Sequence, residues 1–346
     1  MNIFIFAFIT ALIIFFTNYF LKNLSFFHNY NGQSHQKFLG NKEIPLTGGI
    51  YLLIISLLIF YKFSLLICLF LIIIFSIGLA SDTNYLSSPT IRSLLQIFFI
   101  FIFVYIFKVE VTPTRIYYLD IILNNMFFSF IFTTFCLMIV INGTNFIDGL
   151  NSLVLIYYLA IYLIISYFGF HFEFGIDKEK LIYFIIFLIV LSLFNLYNQF
   201  FLGDSGAYLL AFVTSAILIN IYNFNQNISP FFIILLLWYP CFENLFSIFR
   251  KFIYKSSPLN PDSKHLHQYL YACVKKKFKF SDLVSNNISS LIINAFNFII
   301  FFFSASSPEH TKHQLLLLFI SIVIYLFVYN LLVLGVGRCL TPRRSV

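Results

Sequence analysis

Long apolar runs alternate with short polar segments along the whole chain, and this alternation predicts helices that cross a membrane. A helix needs about 20 apolar residues to cross about 30 Å of hydrocarbon. Segments that are long or apolar enough occur at 3–21, 48–62, 64–80, 94–110, 125–141, 152–170, 181–197, 206–224, 229–247, 284–304 and 314–336. The pattern therefore predicts an all-α, polytopic integral membrane protein with about eleven transmembrane helices in a single domain, residues 1–346.

The positions of Lys and Arg predict the orientation of these helices, because cytoplasmic loops carry an excess of both residue types. Of the 21 Lys and Arg residues, one set of connections holds 15 and the opposite set holds 6. We therefore expect the N-terminus outside and the C-terminus in the cytoplasm. The predicted cytoplasmic loops are 22–47, 81–93, 142–151, 198–205 and 248–283.

Composition supports this class and excludes several others. The chain is 60% hydrophobic and 10% charged, whereas soluble domains carry about 25% charged residues. The 5 Cys residues include no closely spaced pair, which argues against a disulfide framework or a zinc site. The first apolar run is not preceded by a basic segment, so no cleavable signal peptide is expected.

Three carboxylates, those of Asp82, Asp148 and Asp204, lie at the cytoplasmic edges of predicted spans. A charged residue at the centre of a membrane helix costs about 2.5–3.5 kcal/mol, so carboxylates in or near such helices are functional candidates. Asn142 and Asn145 precede Asp148 at helical spacing and would form one polar stripe with it. Such a stripe can hold a divalent cation or the hydroxyls and phosphates of a nucleotide. The alternative for each carboxylate is a structural role, as a helix cap or a solvated loop residue.

The loop 248–283 is the most basic of the predicted connections, and it contains His265 and His267 beside Lys264. Two side chains at i and i+2 point the same way in an extended segment but diverge on a helix. Imidazoles beside a cation suit the binding of a diphosphate. The alternative is a polybasic loop attracted to anionic lipid, which is the interpretation we prefer for residues 275–277.

Taken in order, over about residues 30–270, these motifs resemble those of the polyprenyl-phosphate N-acetylhexosamine-1-phosphate transferases, glycosyltransferase family four. The matching positions are His35 and Lys37, then Pro45, Gly48 and Gly49, then Gly78, Leu79, Asp82, Leu86, Pro89 and Arg92, then Asn142, Asn145, Asp148 and Gly149, then Gly203, Asp204, Ser205 and Gly206, and finally Pro258, Asp262, His265 and His267. Two positions depart from the family pattern. Ser81 stands where the first of two paired aspartates belongs, and Gln268 stands where a further His is usual.

The resemblance implies an enzyme that transfers a sugar-1-phosphate, N-acetylhexosamine-1-phosphate, from a UDP-sugar to undecaprenyl phosphate and releases UMP. It implies a cytoplasmic active site in the bacterial inner membrane, where this step initiates cell-envelope polysaccharide synthesis, with loop 248–283 binding substrate. The residues implied are Asp82, Asp148 and Asp204 for catalysis, Asp204 and Asp148 for Mg²⁺ or Mn²⁺, and Lys37, Asn142, Asn145, Lys264, His265 and His267 for substrate. Membrane lipids are further partners, nucleic acid is not expected as a partner, and a homodimer is left open.

Two other functions remain open at this point. Intramembrane carboxylates also occur in transporters and flippases, which place them near the bilayer midplane in broken helices and often in repeated halves. Here the carboxylates lie at helix ends on one face, and the sequence shows no internal repeat. A catalytically impaired member of the family is the second alternative, because Ser81 replaces an aspartate.

Overall fold

The computed structural model describes residues 2–23, 44–170, 177–255 and 264–340, and most of these residues are helical. The helices are α1 (Ile3–Asn23), α2 (Gly48–Phe60), α3 (Leu65–Asp82), α4 (Pro89–Phe107), α5 (Tyr117–Leu123), α6 (Met126–Ile147), α7 (Leu153–Phe168), α8 (Lys178–Leu196), α9 (Gly203–Phe224), α10 (Pro230–Leu236), α11 (Trp238–Ile253), α12 (Leu266–Phe278), α13 (Asp282–Ala305) and α14 (Thr311–Leu340). The predicted all-α fold is confirmed.

The helices agree with the predicted spans segment by segment. Among the described residues, 8 helices are long and apolar enough to cross a membrane, or 9 if α10 and α11 together form one broken span. The shorter apolar helices α2 and α7 cover the two remaining predicted segments. The chain is therefore a polytopic membrane protein, while the number of crossings and their orientation stay predictions.

The predicted span 229–247 is wrong as a single helix. It consists of α10 and α11, which are bent by 75° at Leu237. The cause is Pro240, because a proline ring clashes with the carbonyl four residues earlier and removes the N–H that would bind it. That carbonyl belongs to Leu236, and it accepts a hydrogen bond from the Tyr157 hydroxyl at 2.8 Å instead. The sequence signal for the break, a proline inside an apolar run, was available.

Several helices begin where a side chain can accept hydrogen bonds from their first N–H groups. Ser64 caps α3, Ser88 caps α4 just before Pro89, and Asn125 caps α6. These local signals position the helix ends because the first four N–H groups have no partner within the helix. In contrast, α2 and α9 have no side-chain cap of their own at the N-cap position. The amino end of α9 therefore needs a partner from elsewhere in the fold.

Helix α9 lies at the centre of the bundle, where it packs against α2, α3 and α6. Its side chains are buried on all sides from Ser205 to Leu218, including Tyr208 and Phe212. A helix that is apolar all round and surrounded by other helices is typical of the interior of a membrane bundle. Because α9 begins at Gly203, this packing brings the Gly-Asp-Ser-Gly motif against the ends of several other helices.

The structure also contains two helices that the hydrophobic pattern did not predict. One is the short α5, and the other is α12, which lies inside the predicted loop 248–283. His265 is the N-cap of α12 with extended backbone angles, φ −87° and ψ 152°. Gln268 accepts a hydrogen bond from the backbone N–H of His265 at 3.1 Å, so the residue that departs from the family pattern here caps a helix.

Candidate active site

Asp82 supplies the cap that α9 lacks. The N-cap residue of α9, Leu202, makes no side-chain hydrogen bond. The carboxylate of Asp82 instead accepts hydrogen bonds from the backbone N–H groups of Asp204 at 2.8 Å and Ser205 at 3.0 Å. A carboxylate at a helix amino end also gains from the helix dipole. This contact joins the end of α3 to the start of α9, so two of the sequence motifs meet directly.

Glycines allow the two helices to approach this closely. A Cβ on Gly78 would lie 2.6 Å from the backbone nitrogen of Ser205, and a Cβ on Gly49 would lie 2.7 Å from that of Gly206. Gly203 has φ +73°, and a Cβ there would lie 2.8 Å from Asp82 Oδ2. Glycine tolerates both the positive φ and the close backbone contact. The glycines of three motifs therefore serve one junction around the start of α9.

The side chain of Asp204 lies in the first turn of α9 and is held through one oxygen. Its Oδ2 accepts hydrogen bonds from the Ser81 hydroxyl at 2.6 Å, from Arg92 Nη1 at 3.1 Å and from the Tyr208 hydroxyl at 3.4 Å. Arg92 also donates a hydrogen bond to Ser81. The interpretation of Asp204 as a helix cap is therefore wrong. Among the described residues, all hydrogen bonds to the Asp204 side chain fall on Oδ2, which leaves Oδ1 for another ligand.

Asp148 follows α6 as its C-cap residue and lies close to the other two carboxylates. Burial raises the pKa of Asp148, and the negative charges of Asp204 and Asp82 raise it further. One helical turn earlier, Asn145 donates a hydrogen bond to the Tyr208 hydroxyl at 3.3 Å. The Asn-x-x-Asn-x-x-Asp stripe therefore reaches the start of α9, and three carboxylates from separate motifs share one end of the bundle.

The His-x-His segment reaches the same end of the bundle. A Cβ on Gly149 would lie 2.8 Å from Cδ2 of His267, so this imidazole lies directly against the residue after Asp148. The rings of His265 and His267 are stacked, with centroids 5.7 Å apart and planes within 12°. The ring of Phe146 also contacts His265, with the two ring centroids 5.4 Å apart. The two imidazoles face the same region because His265 is extended and the helix begins only after it.

Sequence analysis pointed to Arg250 as a cation near the histidines but missed Glu243 and the polar face that they share on α11. Glu243, Ser247, Arg250 and Lys251 are all buried, at i, i+4, i+7 and i+8. This spacing places them on one face of a helix. The face is directed at the His-x-His segment, because Glu243 binds His265 and Arg250 binds the carbonyl oxygen of Lys264 at 2.6 Å. The signal was a carboxylate inside an apolar run at helical spacing from two cations.

Comparison with known proteins bears on the same residues. The model of glycosyl transferase family 4 matches residues 64–222, a stretch that contains Asp82, Asp148 and Asp204. Over these residues the chain matches glycosyl transferase family 4, the polyprenyl-phosphate HexNAc-1-phosphate transferase family. Membership of this family implies transfer of a sugar-1-phosphate to a polyprenyl phosphate. A search of curated proteins found no match to the chain.

The structure brings together some of the residues that the family-4 resemblance implies and leaves others apart. Asn142 donates to the carbonyl oxygen of Met138 in its own helix at 2.9 Å. The exposed Lys264 places its Nζ over the ring of Tyr254, 5.5 Å from the centroid. Lys37 lies outside the described residues. Asp82, Asp148, Asp204, Asn145, His265 and His267 therefore form the compact part of the site.

A divalent cation suits the carboxylates of this family-4 site, although they do not form a complete cage. Within the described ranges, no group of three or more His, Cys, Asp or Glu side chains is arranged to hold a metal ion. Mg²⁺ commonly takes only one or two carboxylates and completes its shell with water and substrate phosphates. Here Asp82, Asp148 and Asp204 crowd together, and Arg92 forms an ion pair with Asp204 at 3.1 Å. The remaining negative charge favours a divalent cation.

Proposed function

We propose that this protein transfers N-acetylhexosamine-1-phosphate from a UDP-sugar to undecaprenyl phosphate at the cytoplasmic face of a bacterial inner membrane. The products are undecaprenyl-diphospho-sugar and UMP, and the step initiates a cell-envelope polysaccharide such as lipopolysaccharide O-antigen. The observation that carries the proposal is the meeting of Asp82, Asp148, Asp204 and His267 at one end of the helical bundle. These four residues come from separate motifs on different helices, and a shared site requires them to meet.

In the reaction, an oxygen of the lipid phosphate attacks the β-phosphorus of the UDP-sugar, and the bond from this phosphorus to the oxygen bridging to the α-phosphorus breaks. UMP leaves with that oxygen. A phosphate monoester has its second pKa near ~6, so the attacking oxygen is largely ionised and a strong base is not needed. Both oxygens of Asp82 already face backbone N–H groups of α9. We therefore assign Asp82 to holding Asp204 in place.

Asp204, through Oδ1, and Asp148 are the residues that would hold Mg²⁺ or Mn²⁺. The cation supplies positive charge that screens two anionic substrates and the charge that develops during phosphoryl transfer. His265 and His267 bind the diphosphate of the nucleotide sugar. Asn145 lines the nucleotide side of the site, and Lys37, Asn142 and Lys264 stay predictions as substrate-binding residues. The net charge of +8 draws nucleotide towards the protein.

The test is transfer of labelled sugar-1-phosphate from a panel of UDP-sugars to undecaprenyl phosphate by the purified protein. Asp204→Asn should abolish transfer with every sugar and leave the protein folded, because the amide is a poor ligand for a hard cation. Asp177→Asn is the matched control, since Asp177 is an exposed N-cap at the start of α8 and Asn also caps helices. Near-normal turnover of Asp204→Asn would reject the metal-binding role.

This transfer assay, together with an uptake assay in vesicles, separates the two alternatives. Uptake of a labelled lipid-linked sugar into vesicles without product would favour a transporter, and neither product nor uptake would favour an impaired family member. The contacts of Ser81 support an active enzyme. Its hydroxyl donates a hydrogen bond to Asp204 and accepts one from Arg92. Ser81 therefore helps to hold Asp204, although it departs from the family pattern.

A further inference from the structure

Glu243 is a fully buried carboxylate beside the His-x-His segment, with 0% of its surface exposed. Its Oε1 lies 2.9 Å from His265 Nδ1 and 3.4 Å from the backbone nitrogen of Leu266. Its Oε2 accepts a hydrogen bond from the Tyr325 hydroxyl at 2.6 Å. An ionised carboxylate only accepts hydrogen bonds. His265 must therefore carry its proton on Nδ1, and its Nε2 lies on the far side of the ring from Glu243.

The partners of this carboxylate matter because Glu243 is fully buried. A carboxylate removed from water needs a nearby cation and hydrogen-bond donors, or its desolvation is not offset. His265 Nδ1 contacts this carboxylate at 2.9 Å, while Arg250 binds the Lys264 carbonyl and Lys251 places its Nζ over the Phe146 ring at 5.8 Å. In its protonated form an imidazole donates from both nitrogens, and the ring of His265 is stacked on that of His267.

Two residues of helix α11, Arg250 and Glu243, hold the His-x-His segment. Arg250 binds the main chain, at the Lys264 carbonyl oxygen, and Tyr329 donates to the same oxygen at 3.1 Å. Glu243 binds the imidazole side chain of His265 as well as one backbone N–H. The carboxylate therefore has a more specific task, which is to fix the orientation and the proton of His265.

We propose that Glu243 is a positioning residue, which holds His265 through Nδ1 so that its Nε2–H is presented to an anionic phosphate of the nucleotide sugar. Tyr325 supports Glu243 from α14. The inference deepens the proposed function and rests on it, because it assumes that His265 binds a nucleoside diphosphate. The general reason is that a side chain locked by a second hydrogen bond loses less conformational freedom when it binds a ligand.

A double-mutant cycle tests the proposal through UDP binding, measured by calorimetry on the full-length protein in detergent, with kcat and KM measured in parallel. Glu243→Gln should weaken UDP binding about tenfold, which is about 1.4 kcal/mol, and His265→Ala should weaken it at least as much. The double variant should bind no more weakly than His265→Ala alone, since Glu243 acts through that ring. KM for the UDP-sugar should rise more than kcat falls. Glu179→Gln, at an exposed position in the first turn of α8, is the control.

Additive losses in the double variant, or unchanged UDP binding in Glu243→Gln, would overturn the proposal, because either result makes Glu243 independent of His265. If Glu243→Gln does not fold, Tyr325→Phe replaces it in the cycle, since it removes only the donor to Oε2. Its loss of UDP affinity, about threefold, should vanish in the His265→Ala background. Failure of the unaltered protein to bind UDP would overturn the proposed function as well, whereas binding with additive losses rejects the positioning role alone.

Discussion

Gly78→Ala is expected to disable the site without touching any polar side chain. An added Cβ would lie 2.6 Å from the backbone nitrogen of Ser205 and 2.8 Å from the carbonyl carbon of Asp204. Ordinary contact begins at 3.4 Å and the Cα of Ser205 lies closer still, so α3 and α9 must separate by at least about 0.8 Å at this point. All these obstructing atoms are backbone, and no side-chain rotation can relieve the contact. The displacement therefore falls on the hydrogen bonds from Asp204 and Ser205 to Asp82, because Asp82 lies one turn beyond Gly78.

Two magnitudes follow from that displacement. Overpacking of a close helix contact costs about 1–3 kcal/mol of stability, and displacement of a reacting group by about 1 Å costs about a hundredfold in rate. We therefore expect Gly78→Ala to lower the transfer rate by about a hundredfold and to lower the thermal midpoint by a few degrees. Transfer of labelled sugar-1-phosphate and thermal unfolding in detergent measure the two effects.

Gly335→Ala is the matched control for this prediction. A Cβ at Gly335 meets nothing within 4 Å, and the residue lies inside α14. Alanine is the better helix former by about 1 kcal/mol, so this change should leave activity unaltered and stability equal or higher. If Gly78→Ala retains activity within about twofold of the unaltered protein, the close packing of α3 on α9 is not what aligns Asp204, and the reasoning fails.

Two further predictions concern charges at the site, and a third concerns the orientation of the protein in the membrane. Ser81→Asp would place a second carboxylate beside Asp204. Two charges about 4 Å apart repel by up to about 4 kcal/mol at an effective dielectric of about 20, and Arg92 and solvent reduce this repulsion. We therefore expect about a tenfold rise in KM for undecaprenyl phosphate with little change in kcat. An inactive natural protein that becomes active on Ser81→Asp would instead show a decayed enzyme. The raised pKa of Asp148 means that the folded protein holds this proton more tightly than the unfolded chain, so stability falls as pH rises from the ordinary carboxyl pKa through the raised one. Asp148→Asn should therefore raise the thermal midpoint without Mg²⁺ at neutral pH and give no gain at pH ~4. A midpoint unchanged at neutral pH would reject the crowding of carboxylates. A Cys introduced beside Asp148 or His267 should react with a membrane-impermeant thiol reagent only from the cytoplasmic side, and labelling from outside in intact cells would overturn the orientation.

The sequence predicted more of the fold than of the site's internal contacts. Ten of the 11 predicted spans each coincide with one helix in the described residues, because apolar runs and local caps such as Ser64 and Asn125 are short-range features. Pro240 shows the limit of reading hydrophobicity alone, since the run looks continuous and the proline breaks it. The helix α12 was missed for the opposite reason, because it is too polar to show in an apolar pattern.

For the site, the sequence by itself determined which side chains to examine, through the order and spacing of motifs that resemble glycosyl transferase family 4. It could not assign their partners. The structure reveals that Asp82 caps α9, that Ser81 and Arg92 hold Asp204, and that Glu243 holds His265. Each of these contacts joins residues on different helices, so it depends on how the helices pack. Local sequence fixes where a helix begins and ends, whereas only the packed bundle decides which buried charge meets which donor.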